Sequence, residues 1–436
     1  MLKRVGQAAI PAGETTTAAL FPQKLEFNPP VHENWNIVHI GMQIPEAHQI
    51  YVCGVNCMRG VVLTAAEMGA QERFSSVLLY EDDVVDGTLW EATRDGIADV
   101  LRKLPKLPPC VIVFPVCTHH FAGVDMDSVY RSLENEFPSV TFVRAFMDPI
   151  MQKHGLPPDQ RLRKVMYDPL PVCEPEPKSV TLLGAEFALE PDADLCRLLE
   201  KNGFALRQLQ DCGSYEDYLS LSKGETFLVV HPNGRYGVSQ TAKRIGRPCH
   251  YLPMGFDYAE IRSQLTAFCD DLGLENLDLE EEAARTDAAL QSALDVIGQT
   301  PVVIDALFHP RPLELARLLI SRGFRVTEVF LDGVTQEDEP ALEWLRVHAP
   351  ELLLRSIILP QMRVADRTRP EKTLALGPKA AWFTSSPYFV NLVQGGGLWG
   401  FGGIRSLCNQ MVEAFVNPKD TRDIVPRKGL GCASCI

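Results

Sequence analysis

The sequence predicts an α/β protein of three units, each a doubly wound parallel sheet. Buried-type strands such as CVIVFPV (110–116) alternate with helix-period segments such as TLWEATRDGIADVLRKL (88–104). One order of strand, loop, amphipathic helix, glycine and strand occurs twice, in GAEFALEPDADLCRLLEKNGFALRQL (184–209) and DALFHPRPLELARLLISRGFRVTEVF (305–330). A length of 436 residues suits about three domains. Strands separated by helices pair in parallel through right-handed crossovers, which places helices on both faces of each sheet.

The first unit is expected over residues 1–175. It opens with an arm whose turns are marked by Pro11, Pro22, Pro29 and Pro30. Strands are then expected at NIVHIG, QIYVCG and SSVLLY, with VVLTAAEMGA helical between the last two. The helix at 88–104, the strand at 110–116, helix DSVYRSLENEF and strand VTFVRAF complete the unit. Pro169, Pro171, Pro175 and Pro177 lack backbone donors and restrict φ, so they mark a boundary.

The second unit, 176–275, runs through SVTLLGAEF, helix ADLCRLLEKNGF with its stop at Gly203, strand TFLVVHP and helix YAEIRSQLTAFCDDLGL. The acidic helix LDLEEEAARTDAALQSALDVI leads into the third unit, 276–416, and its Glu280–Glu282 run reads as a solvated face. TPVVIDALF, PLELARLLISRGF, RVTEVFLDG, EPALEWLRVHA and SIILP repeat the alternation. GGGLWGFGG (395–403) reads as a packing turn or cleft wall, with Trp399 and Phe401 either flooring a cavity or joining the core. A tail, 417–436, carries Cys432 and Cys435 in C-x-x-C spacing, which suits a surface redox pair, an extra cluster site or no ordered role.

A net charge of −14 argues against a nucleic-acid surface, because a polyanion would be repelled. No apolar run approaches the roughly 20 residues that cross a bilayer, and the opening MLKRVGQAAIPAG lacks the apolar stretch of a secretory signal. The expectation is a cytoplasmic protein, off the membrane, whose partner is a small molecule or another protein.

Chemistry is concentrated in sulfur. Cys53 and Cys57 follow one strand and Cys117 follows another, and carboxyl ends of parallel strands are where an open sheet gathers functional side chains. Thiolates are soft ligands that hold iron at low potential, so these three are candidate ligands of an iron-sulfur cluster. His119 and His120 follow Cys117 and are the candidate proton carriers or cluster neighbours, with a structural role as the alternative. Of twelve cysteines, Cys110, Cys196, Cys212, Cys249, Cys269 and Cys408 read as core fillers, and Cys173 as a reserve ligand on the proline-rich linker. Asp125 is expected to cap the helix after it, and Glu81, Asp82 and Asp83 to be solvated or capping.

RFSSVLLYEDDVVDGTLWEATRDGI, VIVFPVCTHHFAGVDMDSVYRSL and IGRPCHYLPMGFDYAEIRSQLTAFCDDLGL resemble segments of the component 1 family of nitrogenase-type oxidoreductases. That family also includes the dark protochlorophyllide reductases and the nickel-sirohydrochlorin reductive cyclase. The resemblance runs from about residue 35 to 416. It implies three Rossmann-like domains around a central cleft, a metal-sulfur cluster at a subunit interface and a homodimer or a heterodimer with a related chain. It also implies electrons from a separate ATP-dependent iron-sulfur reductase. The sequence has no G-x-x-x-x-G-K-[ST], so a P-loop belongs to that partner.

Cys117 matches the family cysteine after the second strand, and Cys57 or Cys53 the earlier one, while no cysteine precedes Cys53. The implied cofactor is therefore a simple 4Fe-4S cluster. The function implied is electron acceptance at Cys117 with Cys53 or Cys57, and reduction of a small-molecule substrate in the cleft. A scaffold for cluster assembly and a non-redox small-molecule-binding protein are the alternatives.

Overall fold

The computed structural model describes residues 8–15, 20–21, 27, 29–31, 36–148 and 156–425. Its strands fall into three sheets, as the alternating pattern predicts. Strand β1 (Ala9–Pro11) comes first and β2 (Ala47–Cys53), β3 (Phe74–Leu78), β4 (Cys110–Pro115) and β5 (Thr141–Arg144) follow. The latter four form one parallel sheet in the order β3-β2-β4-β5. The second sheet uses β6 (Glu176–Leu182), β7 (Ala205–Gln208), β8 (Gly224–Val229) and β9 (Cys249–Tyr251), parallel in the order β7-β6-β8-β9.

The third sheet contains β10 (Val302–Asp305), β11 (Val326–Phe330), β12 (Leu353–Arg355), β13 (Leu374–Leu376) and β14 (Phe389–Val390). Its order is β1-β12-β11-β10-β13-β14, all parallel except β1. The amino-terminal arm thus contributes an antiparallel edge strand to the last sheet, with Ile10 opposite Leu354. In each sheet the chain first winds to one side of a founding strand and then to the other. The turning points lie between β2 and β4, between β6 and β8, and between β10 and β13.

Alternation along the second sheet explains how the units hold together, since successive side chains leave a strand on opposite faces. Val180, Leu182 and Leu228 join the core shared with the third sheet. Leu183, Phe227 and Val229 join the core shared with Tyr51, Phe114 and Val143 of the first. The middle sheet is buried on both faces, and each face belongs to a different neighbour.

Several expected elements differ. NIVHIG is helical, as Ile37–Met42, because Asn36 Oδ1 accepts the Val38 N–H at 2.9 Å and starts a turn that the apolar run then buries. SIILP is not a strand. Its Ser356 and following backbone turn around Asp332, whose Oδ1 takes the Ser356 hydroxyl at 2.8 Å and the Ile357 N–H at 3.0 Å. Glu282 is buried in an ion-pair group with Arg197 at 2.6 Å and Arg405 at 2.8 Å, so the acidic run is solvated only at Glu280 and Glu281.

The glycine-rich run is a packing turn. A Cβ at Gly402 would lie 1.9 Å from the Asp192 carbonyl oxygen, and one at Gly397 would lie 2.0 Å from that of Ala188. Trp399 and Phe401 are buried, and the indole Nε1–H donates to Leu252 O at 2.9 Å. Gly203 adopts φ +68° at the end of its helix, as its sequence position predicts.

Candidate functional site

In the first sheet, β2 sends its crossover one way and β4 lies on the other side, so a crevice opens between their carboxyl ends. The register sets the two strands level there, with Val52 opposite Pro115 and Tyr51 opposite Phe114. The Tyr51 and Phe114 rings stack at 4.3 Å and wedge the strands beneath the crevice.

Cys53 ends β2 and is fully buried. Burial pushes its thiol up to about 12, with nearby Cys57 adding to the shift, so it is a neutral thiol. Gly54 then turns the chain into helix Val55–Glu67, whose first turn presents Cys57 to solvent. Across the crevice, Cys117 opens the short helix Cys117–Phe121 and is half-buried. Two accessible thiols therefore follow adjacent strands, with a third, inaccessible one behind them. Among the described residues no group of three or more histidine, cysteine, aspartate or glutamate side chains is placed to hold a metal ion.

His119 and His120 border the same cavity but differ in burial. His119 is buried, and its Nδ1 accepts the Val116 N–H at 3.2 Å. The same nitrogen lies 3.3 Å from Val116 O, and Nε2 lies 2.9 Å from Thr93 Oγ1 on helix Leu89–Lys103. Burial lowers the basicity of this ring, which acts as a neutral clamp between two helices. His120 is exposed. It lines a cavity of about 340 Å³ beside Cys117 with Asp125, Phe146 and Arg161. Asp125 caps helix Met126–Glu136 through the Ser128 N–H at 3.1 Å, as expected. Asp83 accepts the Tyr80 N–H at 2.8 Å and so caps the short helix Glu81–Val85, again as expected.

The same end of the sheet leaves large apolar side chains in water. Val55, Tyr80, Val85 and Phe121 are 62, 61, 81 and 69% exposed, and all four belong to the turns and helices that follow β2, β3 and β4. Large apolar side chains exposed together at one end of a sheet suit a face that something else covers.

Other cysteines sit elsewhere. Cys110, Cys269 and Cys408 are buried, and Cys196, Cys212 and Cys249 are half-buried against the same cores. Cys173 Sγ lies 3.3 Å from Ser222 Oγ, at the amino-terminal end of the second sheet. Cys432 and Cys435 lie outside the described residues.

Sequence reading missed a second polar region, between the second and third sheets. Two His-Pro turns follow parallel strands: His231-Pro232 after β8 and His309-Pro310 after β10. In each, Nδ1 accepts a backbone N–H two residues on, from Asn233 at 3.3 Å and from Arg311 at 3.0 Å. Both rings are buried, which lowers their basicity. Arg311 pairs with Glu260 at 2.5 Å and Glu314 at 3.3 Å, and Arg163 forms a fully buried pair with Glu186. The signal was present as the repeated apolar-His-Pro sequence, VVHP and LFHP.

No protein-family model matches the chain, and no curated protein matches it. Among solved structures, nitrogenase Cp1 at pH 6.5 superposes with a TM-score of 0.64 at 12% identity, over 95% of this chain and 96% of that one. Nitrogenase Cp1 at pH 5 gives 0.58 at 14% identity, over 94% and 93%. Likeness at such identity is a statement about architecture, and over nearly its whole length this chain has a nitrogenase-like fold.

Proposed function

We propose that the chain is a nitrogenase-like catalytic component whose Cys57 and Cys117, paired with those of a second copy, hold an iron-sulfur cluster that takes electrons from an ATP-dependent reductase. The observation that carries this reading is the pair of accessible thiols at the first sheet's turning point, at the same end as an apolar rim. A 4Fe-4S cluster takes four cysteine ligands, and a two-fold axis through the crevice doubles two thiols to four. Cys57 suits the role better than Cys53, whose ligation requires ionising a thiol that burial keeps neutral.

When bound, such a cluster supplies one-electron steps. His119 fixes the Cys117 helix in place, and His120 is the exposed group able to carry a proton at that surface. Exposed Glu81, Asp82 and Asp127 flank the rim and are the proposed docking points for the reductase. Among the described residues no helix is long and apolar enough to cross a membrane.

The test is anaerobic reconstitution with iron and sulfide. Four irons per dimer are expected, with the signal lost in Cys57→Ala and in Cys117→Ala and kept in Cys110→Ala. Metal-free, colourless protein after reconstitution would overturn the proposal and leave a non-redox binding protein. Quantitative departure of the cluster to an acceptor apoprotein, without turnover, would identify an assembly scaffold instead.

A further inference from the structure

We propose that the cavity between the second and third sheets binds a small organic cation that also carries a hydrogen-bond acceptor, with Glu337 and Asp338 facing the positive group and His231 donating to the acceptor. The inference does not depend on whether the thiols of the first sheet hold iron.

The cavity encloses about 340 Å³, enough for a ligand of modest size. One wall is His231 and Asn233, which follow β8 at the second sheet's turning point. The opposite wall is built after β10 and β11, and includes Thr335, Glu337 and Asp338, while Gln394 closes one side. Two parallel sheets thus direct their carboxyl ends at one space, the position where open α/β sheets bind ligands. Gln394 holds φ +51°, a left-handed conformation unfavourable to a side chain, and its N–H is tied to Leu307 O at 2.7 Å. Such strain persists where the surroundings over-determine it.

His231 is only 3% exposed. Its Nδ1 accepts the Asn233 N–H, so the proton of the neutral ring is on Nε2, and the ring lines the cavity. An acceptor on a ligand in the cavity would meet that N–H.

The charge around the cavity is negative. No lining residue is a lysine or arginine. Arg311, outside the lining, is shared among Glu260 at 2.5 Å, Glu314 at 3.3 Å and Glu337 at 3.9 Å. Glu337 also accepts the Tyr251 hydroxyl at 2.7 Å, which orients its carboxylate. Asp338 accepts the Leu313 and Glu314 N–H groups at 2.9 and 2.8 Å. Its carboxyl is nevertheless held up to about 7, first by burial and further by Glu314, with Arg311 opposing. Arg311 thus answers three carboxylates at once, while buried Arg163 is matched by Glu186 and Arg235 lies over the Tyr251 ring, and a positive ligand group beside Glu337 relieves the excess.

The probe is N-acetylputrescine, an ammonium joined by a short chain to an amide carbonyl, added to the full-length protein. Two controls keep the amide and change the charge: N-butylacetamide is neutral and N-acetyl-4-aminobutyrate is an anion. Binding is read from the His231 ring resonance, assigned with His231→Gln, and by calorimetry at pH 7 in two buffers of different ionisation enthalpy. A cation beside Asp338 favours its ionised form, so binding releases protons. The expected result is a shifted His231 signal, proton release, and binding at least about tenfold tighter than either control. Glu337→Gln should weaken binding about tenfold. No shift at about 10 mM probe, or equal binding of either control, would overturn the assignment.

Discussion

The carboxyl end of the first sheet and the cavity between the other two are built from the same topology and finished in opposite materials. The first leaves sulfur and large apolar side chains in water, as at Val85 and Phe121. The second keeps imidazoles and carboxylates out of water, as at His231 and Asp338. Apolar area in solvent is relieved by covering it with another surface. Charge in a dry wall is relieved only by a partner group of opposite charge or by a proton. The two ends of one architecture therefore invite different classes of occupant, and side-chain chemistry rather than strand order makes the difference.

The contrast breaks most sharply at a dry wall next to the cavity lining, the buried Arg163–Glu186 pair. Glu186→Ala leaves Arg163 buried without its carboxylate and is expected to cost about 3–5 kcal/mol, read from urea unfolding. An effect below about 1 kcal/mol would mean that this wall is not dry. At the sheet end the largest stability effect belongs to a clamp. His119→Ala strips the Val116 N–H and Thr93 of their partner and should cost about 1–3 kcal/mol, whereas exposed His120→Ala should stay within about 0.5 kcal/mol. Equal effects in the two variants would remove the distinction between clamp and surface group.

Acidity supplies a finer probe. Asp338 titrates near 7 in the folded chain and near 3.8 when unfolded, so the folded state holds its proton over that window. Its contribution is complete below about 3.8 and disappears as pH rises through about 7. Asp338→Asn should flatten the fall in stability across that range, seen in urea midpoints at successive pH values. An unchanged slope would place the titration on another group, with Asp194 and Asp305, each near 6, the next to examine. The smallest expected change in stability, within about 0.5 kcal/mol, is that of Val85→Asp with Phe121→Asp. The same pair should weaken self-association about tenfold in sedimentation, and unchanged association would separate the rim from any contact between copies.

The sheets were legible because buried parallel strands read as unbroken apolar runs, and 110–116 has no competing pattern. Asp125 was legible as a cap because its partners are local. Ile37–Met42 was not, since a short apolar run carries no period long enough to separate helix from strand, and the deciding bond comes from Asn36. The thiols could be placed at strand ends, but which of Cys53 and Cys57 reaches solvent depends on where Gly54 turns the chain. The cavity escaped notice because its walls come from residues about a hundred positions apart, and neither His-Pro turn signals a binding group by itself. Arg163 and Glu186 likewise meet only once two units dock.

The antiparallel strand Ala9–Pro11 ties the beginning of the chain to residues 353–355. During synthesis the first sheet is complete once β5 has emerged, yet β1 has no place to go until nearly all the remaining chain is made. At usual elongation rates that interval lasts roughly tens of seconds. Once in place, the strand occupies the free edge of β12, which would otherwise offer unpaired backbone groups to any other chain. The edge of the third sheet is thus closed by a latch, a segment made more than three hundred residues before the strand it covers.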